Sequence, residues 1–309
     1  MSKNHFKKNL VSVLTPCYNG AKTMDIFLNS LLKQTYRPIE LIFINDASTD
    51  TTHSIFQQWQ SILQKNNIKI TYIQSPKNGG IGHACNLGLP YVTGEFFTQF
   101  DSDDIMLPTR IEKLVHTLKN NPECDIVYHP YDVVSAENTE KTLYQIRLNP
   151  DKTNMLMNLL QDESWIGQCG YLMRTKKLAA ANPTLKIYPS RIGQNFQIQI
   201  PINYFGTYCY LDEILSKYII YPKSLSHKTD KTKLFIFWKH WNEIYRIYND
   251  TIKQMDLTKN QKKYLLGITK QTTLKRKKDF ITAKIQGLKK SFKTTKKQVK
   301  NKIKAYLKN

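Results

Sequence analysis

The sequence predicts an α/β fold: a mainly parallel central sheet flanked by helices, followed by a basic helical C-terminal extension. Three observations carry this. Across the first 130 residues, short β-rich runs alternate with helical apolar patterns at the spacing of βαβ units. The strand run Ile39-Glu40-Leu41-Ile42-Phe43-Ile44 is nearly all apolar, as a strand covered on both faces is. The charge is also uneven. Residues 251–309 hold 19 of the 46 basic residues and only two acids, Asp256 and Asp279, so the first 250 residues carry just +5 of the net +22.

The elements follow in order. Leu10–Leu14 reads as a first strand, ended by Thr15-Pro16, with Asn19-Gly20 as a turn. Residues 22–34 place Met24, Phe27, Leu28, Leu31 and Leu32 on one helical face. Arg37-Pro38 breaks the chain before the second strand, Ile39–Ile44. The loop Asn45-Asp46-Ala47-Ser48-Thr49-Asp50 closes with N-cap residues before a helix near 51–65. A third strand spans Ile68–Gln74. Asn78-Gly79-Gly80-Ile81-Gly82 opens a helix near 82–90. Gly94–Phe100 is a fourth strand, Pro108 starts a helix to about Asn120, and Asp125–His129 is a fifth strand. Beyond residue 130 the periodicity weakens. Short strands are expected near 131–135, 142–147 and 207–220, and helices near 152–161, 175–181 and 194–205.

Composition narrows the classes. Apolar content of 40% and a mean hydropathy of −0.49 suit a soluble protein with a core. No apolar run approaches the roughly 18 residues of a membrane span. The basic N-terminus has a short apolar run cut by Pro16, which reads as the start of a strand and not as a signal peptide. Cys17, Cys85, Cys124, Cys169 and Cys209 are widely spaced, with no CxxC pair. That argues for reduced thiols in the cytoplasm, without a zinc site or disulfide framework.

The fourth strand ends in Asp101-Ser102-Asp103-Asp104, a concentration of negative charge in a cationic chain. Such carboxylates repel unless a cation offsets them, and Mg²⁺ or Mn²⁺ takes carboxylate oxygens together with substrate phosphates. Asp-Ser-Asp is equally the chemistry of a solvated turn or a helix cap. What favours a site is position. Thr15–Asn19, Asn45–Asp50 and Asp101–Asp104 are all strand ends, where open α/β sheets bind ligands.

Four segments, VSVLTPCYNG, LIFINDASTD, NGGIGHACNLGL and GEFFTQFDSDDIMLPTRIEKL, stand in the order and spacing of glycosyltransferase family 2, and residues 10–228 resemble that family. The resemblance implies a GT-A-like single domain over residues 1–228, with a donor half to about 130 and an acceptor half to 228. Residues 229–309 then form the basic extension. It also implies a UDP-sugar donor, a divalent Mn²⁺ or Mg²⁺, and inverting transfer to a glycan or lipid-linked acceptor in bacterial cell-surface polysaccharide synthesis. Thr15, Tyr18 and Asp46 match the nucleobase side, Asp101 the ribose side and Asp103 the metal ligand; Gly79 lies in the loop beside the donor. Asp104 is left to cap the following helix. Taken alone, Thr15 and Tyr18 read as a capped strand end with a packed aromatic, and Gly79-Gly80 as a plain turn. Arg110 either pairs with the acidic cluster or has a structural role as a surface cap. His227 matches a metal-side position in the closing segment, although a lone His is more often a surface residue.

One departure stands out. Where the family carries Glu-Asp opening a helix, with the carboxylate that deprotonates the acceptor, this chain has Gln194-Asn195. An amide is no general base, but it can orient a hydroxyl. Asp162 and Glu163 are substitute carboxylates, and Glu163 with Trp165 can form a sugar-binding wall; a helix-end acid pair with a core Trp is the plainer reading. A non-catalytic nucleotide-sugar-binding or membrane-tethered partner of an active transferase is the alternative for the whole chain.

Residues 270–309 carry the stripe Ile281, Ile285, Leu288, Phe292, Val299, Ile303 and Tyr306, with Lys on most of the opposite face. Three readings compete: the stripe lies on an anionic membrane surface, packs on the catalytic domain or forms a coiled coil, or the polycation binds nucleic acid. No nucleic-acid-reading motif accompanies the charge, so no nucleic-acid partner is expected. The reading places the chain peripherally at the inner face of the cytoplasmic membrane; it says nothing about oligomeric state.

Overall fold

The structure, a computed structural model, describes residues 6–149, 154–163, 167–221 and 234–306, with the backbone alone for 287–306. The elements run β1 (Lys7–Cys17), α1 (Met24–Leu32), β2 (Ile39–Asn45), α2 (Thr52–Lys65), β3 (Ile68–Gln74), α3 (Ile81–Gly88), β4 (Gly94–Gln99), β5 (Ile105–Met106), α4 (Arg110–Asn120), β6 (Ile126–Tyr128), β7 (Tyr131–Ser135) and β8 (Asn138–Ile146). They continue as α5 (Met155–Gln161), β9 (Tyr171–Arg174), α6 (Thr175–Ala181), α7 (Gln194–Phe205), β10 (Tyr208–Tyr210), β11 (Ser216–Ile220), α8 (Leu234–Gln254) and α9 (Lys259–Tyr306).

A seven-stranded sheet has the order β10-β6-β9-β4-β1-β2-β3, and a second sheet the order β5-β11-β7-β8. In the large sheet β4, β1, β2 and β3 pair in parallel, as do β6 and β10. β9 is inserted antiparallel between β4 and β6. The α/β expectation therefore holds, with one antiparallel strand at the join of the two halves. β2 is buried along its whole length. Glu40 survives there because its carboxylate accepts from Ser12 Oγ at 2.6 Å and Thr93 N at 2.7 Å, which ties β1, β2 and the start of β4 together.

The helices cover the sheet through their apolar faces. Met24, Phe27, Leu28 and Leu31 of α1 are fully buried, as the periodicity predicts, and Phe27 stacks on Phe100 at 5.8 Å. Phe56 of α2 packs on Phe43 of β2 at 4.2 Å. α3 crosses β1 and β2 so closely that a Cβ on Gly88 would meet Leu14 and Ile44 at 2.6 Å. The C-terminal helices join this core. Tyr248 of α8 contacts Phe196 of α7 at 5.4 Å and donates its hydroxyl to Leu159 O at 2.8 Å. The beginning of α9 lies on α8, with Phe280 stacked on Phe237 at 4.1 Å. Among the described residues, no helix is long and apolar enough to cross a membrane.

Three expectations are corrected here. Cys124 and Cys209 form a disulfide that joins β10 to the chain entering β6, so the five thiols are not all reduced. Arg110 is no surface cap. It is fully buried, donates to Tyr171 O at 2.8 Å and Cys169 O at 3.3 Å, and sits over the Phe100 ring at 5.0 Å. Asp104 does not cap α4 either. It is buried, and its Oδ1 accepts Ile219 N at 2.9 Å, fastening β11 to the end of β4.

Replacing Arg110 with Met should remove about 1–3 kcal/mol of stability, because two buried carbonyls each lose one of two donors, keeping only Thr98 and Ser216. A chemical denaturation midpoint equal to that of the parent would show that Arg110 is not needed there.

Candidate functional site

The ends of β1, β2, β3 and β4 lie at one edge of the large sheet. The register pairs Cys17 with Asn45 and Asn45 with Gln74, while Phe100 N donates to Leu14 O at 3.0 Å. Every sequence-predicted donor residue stands on or directly after one of these ends. The loops after β1 and β2 are laced to each other. Asn19 N donates to Ser48 Oγ at 2.9 Å, Asn19 Oδ1 accepts from Thr49 N at 2.8 Å, and Gly20 N donates to Thr52 Oγ1 at 2.9 Å. Asp50 holds this lacing through Ala21 N and Thr52 N, which makes it structural.

Asp46 is the centre of the edge. It is buried, and its two carboxylate oxygens divide their work: Oδ1 accepts Gly79 N at 3.0 Å and Oδ2 accepts Gly80 N at 2.7 Å. Each Asp46 oxygen therefore already has one donor, and one lone pair remains on each. Gly79 and Gly80 have separate reasons to be glycine. A Cβ on Gly79 would run into the His83 ring at 2.3 Å, and Gly80 has φ +85°, with Arg191 Cγ where its Cβ would be.

The same loop reaches across to the second half of the chain. Gly82 N donates to Ser190 O at 3.0 Å, and Arg191 Nη2 donates to Asn78 O at 3.3 Å. Asn86 brackets Ile187 with a donor to its carbonyl at 2.7 Å and an acceptor for its N–H at 2.8 Å. Residues 187–191 lead through Gly193, at φ +71°, into α7, which begins with Gln194 and Asn195. The donor loop and the two amides are therefore joined by one continuous set of contacts. Asn195 Oδ1 is buried without a hydrogen-bond partner among the described residues.

Unsatisfied groups collect at this edge. Thr15 Oγ1, Gln99 Nε2, Asp101 Oδ1 and His83 Nε2 are all buried without a hydrogen-bond partner among the described residues. Such groups are costly unless something pairs with them. Tyr18, by contrast, leaves its ring half exposed. Burial and the neighbouring Asp103 push the Asp101 carboxyl up to about 7. Burial also raises Asp103, whose carbonyl accepts from Tyr221 OH at 3.3 Å. Among the described residues no three His, Cys, Asp or Glu side chains converge as a metal cage. Two carboxylates withdrawn from water still suit a cation that brings phosphate oxygens with it.

The acceptor-side expectations divide. Asp162 is taken by Arg276 of α9, which pairs with its Oδ2 at 2.9 Å and donates to its carbonyl. Glu163 is exposed one residue later. Trp165 and His227 lie outside the described residues. His83, Asn86, Ser190 and Arg191 were missed as parts of the edge. Only His83 and Asn86 left a local signal, the motif segment NGGIGHACNLGL, in which no role had been given to either.

Residues 12–181 match the model of the family Glycosyl transferase family 2. The chain belongs to this family. It is 35% identical over 173 residues to an uncharacterized glycosyltransferase of Rickettsia bellii, covering 54% of this chain and 24% of the relative. It is 32% identical over 127 residues to the UDP-Glc:alpha-D-GlcNAc-diphosphoundecaprenol beta-1,3-glucosyltransferase WfgD of Escherichia coli, covering 41% and 47%. The chain thus spans under half the length of these relatives. Its fold is similar to that of Staphylococcus aureus TarS residues 1–349 in complex with UDP-GlcNAc, with a TM-score of 0.60 at 19% identity over 85% of this chain and 72% of that one. It is also similar to the mannosyltransferase PcManGT of Pyrobaculum calidifontis in complex with GDP-Man and Mn²⁺, with a TM-score of 0.55 at 15% identity over 88% and 74%. The fold is GT-A-like.

A raised carboxyl favours the folded state while it is protonated. The contribution of Asp101 is therefore full below the ordinary Asp range and is lost as pH rises through about 7. Asp101→Asn should melt a few degrees above the parent at pH 8, with the gap narrowing as pH falls below about 7 and closing near pH 4. A gap that is constant with pH would show that Asp101 does not titrate in this range.

Proposed function

We propose that this protein transfers a sugar from a UDP-sugar to a glycan or lipid-linked acceptor, with inversion, in bacterial cell-surface polysaccharide synthesis. The observation that carries the reading is the Asp46 carboxylate closed on Gly79 and Gly80 beside the unpartnered Thr15 Oγ1 and Asp101 Oδ1. These are fixed acceptors and a hydroxyl at a strand edge, next to a half-exposed tyrosine ring. A uracil ring fits beneath Tyr18, with its N–H on the remaining lone pair of an Asp46 oxygen. Asp101 takes a ribose hydroxyl. The UDP and UDP-GlcNAc bound to TarS, and the lipid-diphosphate acceptor in the name of WfgD, support the same classes of donor and acceptor.

Asp103, with His227 from the segment after Tyr221, would hold a Mn²⁺ or Mg²⁺ ion. When bound, that ion supplies positive charge to the diphosphate and to the departing nucleotide. The protein's own part is to present the anionic carboxylates at the strand edge and hold the donor loop against residues 187–191. On the acceptor side, Asn195 and Gln194 orient the attacking hydroxyl, while Glu163 and Trp165 form a wall for the sugar. Proton removal falls to Glu163 or to the solvent around it, because Asp162 is committed to Arg276. The extension places this acceptor side peripherally on the inner face of the cytoplasmic membrane.

The second reading is a nucleotide-sugar-binding partner without turnover, and the amides at 194 and 195 favour it. UDP release from a panel of UDP-sugars with Mn²⁺ and a lipid-linked glycan separates the two. Turnover is expected, with Asp103→Ala lowering it by roughly a hundredfold or more. UDP binding with no release from any pair supports the second reading. Asn195→Ala should lower acceptor-dependent turnover by about tenfold or more at unchanged UDP affinity; unchanged turnover would remove Asn195 from the acceptor site.

A further inference from the structure

We propose that the first turn of α8 and the middle of α9 form one footing that seats the protein on an anionic lipid bilayer, beside the 162–163 segment. Leu234 and Phe235 open α8 at 54% and 79% exposure, although the same helix buries Trp241, Ile244 and Tyr248 further on. A phenylalanine so exposed is solvated at a cost unless it has a surface to enter.

Contacts between the helices show what lies beside it. Phe237 meets Phe280, the guanidinium of Arg276 lies 5.9 Å from the Trp241 ring, and Lys277 donates to Asn242 Oδ1 at 2.6 Å. The helices run antiparallel in this register, which carries Leu234 and Phe235 level with the stretch between Ile281 and Ile285. Both isoleucines are exposed, at 39% and 47%. Four apolar side chains from two helices thus share one end of the pair. From there the α9 backbone continues as helix to Tyr306. Its sequence repeats the pattern with Leu288, Phe292, Val299 and Ile303, while residues 281–309 hold ten lysines and no acid.

The chemistry selects the partner. Apolar side chains at one end of the helix pair, followed by a polar face whose charges are all lysine, match a surface that is apolar inside and anionic outside. A second copy would set lysines against lysines. A nucleic acid would leave the aliphatic residues in water. Arg276 connects the footing to the acceptor side: it grips Asp162 and lies five residues before Ile281, about 8 Å along the helix. The footing therefore stands where a lipid-linked acceptor would be presented. That significance rests on the acceptor reading above, but the test of the footing does not use sugar transfer.

The test is co-sedimentation of the full chain with vesicles of phosphatidylcholine alone or with phosphatidylglycerol, alongside UDP binding and thermal melting. The parent should bind the anionic vesicles and leave them at about 0.5 M salt. The Leu234→Glu/Phe235→Glu variant should bind about tenfold more weakly, with UDP affinity and melting unchanged, and Phe235→Leu should retain binding. The proposal is overturned if the double variant sediments like the parent, if the parent ignores anionic vesicles, or if the variant only converts an oligomer to a monomer. Vesicle binding without UDP binding would instead sink the donor reading and leave the footing standing.

Discussion

The site depends on one buried carboxylate. Asp46 closes on two successive backbone amides, Gly79 and Gly80, from the neighbouring loop. Hydrogen bonds to an ionised acceptor are stronger than neutral ones, and their loss inside the protein leaves donors stranded. The grip holds the Gly-rich loop at the C-terminal edge of the sheet. That loop then holds Ser190 and Arg191, and behind them the start of α7. An interaction local to the first half of the sheet thus orders the chain that opens α7.

The neighbouring carboxylates show how environment separates residues of one type. Asp104 is fixed structurally by the Ile219 amide, while burial and the nearby Asp103 and Asp101 raise its carboxyl. Asp101 and Asp103 are pushed up by burial, and Asp101 also by its neighbour, with Asp101 Oδ1 unpartnered among the described residues. Asp162, a candidate base in the sequence, is paired with Arg276.

Much of the fold was legible because it rests on local periodicity. The apolar faces of α1 and β2 fix their burial, and the elements expected after residue 130 fall close to their places, including α6 and α7, but the inserted strand β9 was not expected. The strand ends were legible for the same reason, whereas Thr15, Asp46 and Asp101 were singled out by the resemblance to glycosyltransferase family 2 and not by periodicity. What stayed hidden is long-range pairing. Arg110 meets Tyr171 across 61 positions, Asp104 meets Ile219 across 115, and Cys124 meets Cys209 across 85. No window of sequence contains both partners, so Arg110 read as a surface residue and Asp104 as a cap. The bond between Asp46 and Gly79 was hidden in the same way, although each residue alone was visible.

The central claim is that this edge is the nucleotide site and Asp46 its fixed centre. The most direct measurement is a crystal structure with UDP and Mn²⁺. It should show uracil against Tyr18 and Asp46, the ribose at Asp101, the ion on Asp103 and the diphosphate, and the Asp46 bonds to Gly79 and Gly80 intact. Nucleotide bound elsewhere, or an Asp46 carboxylate swung away from the two amides, would contradict it.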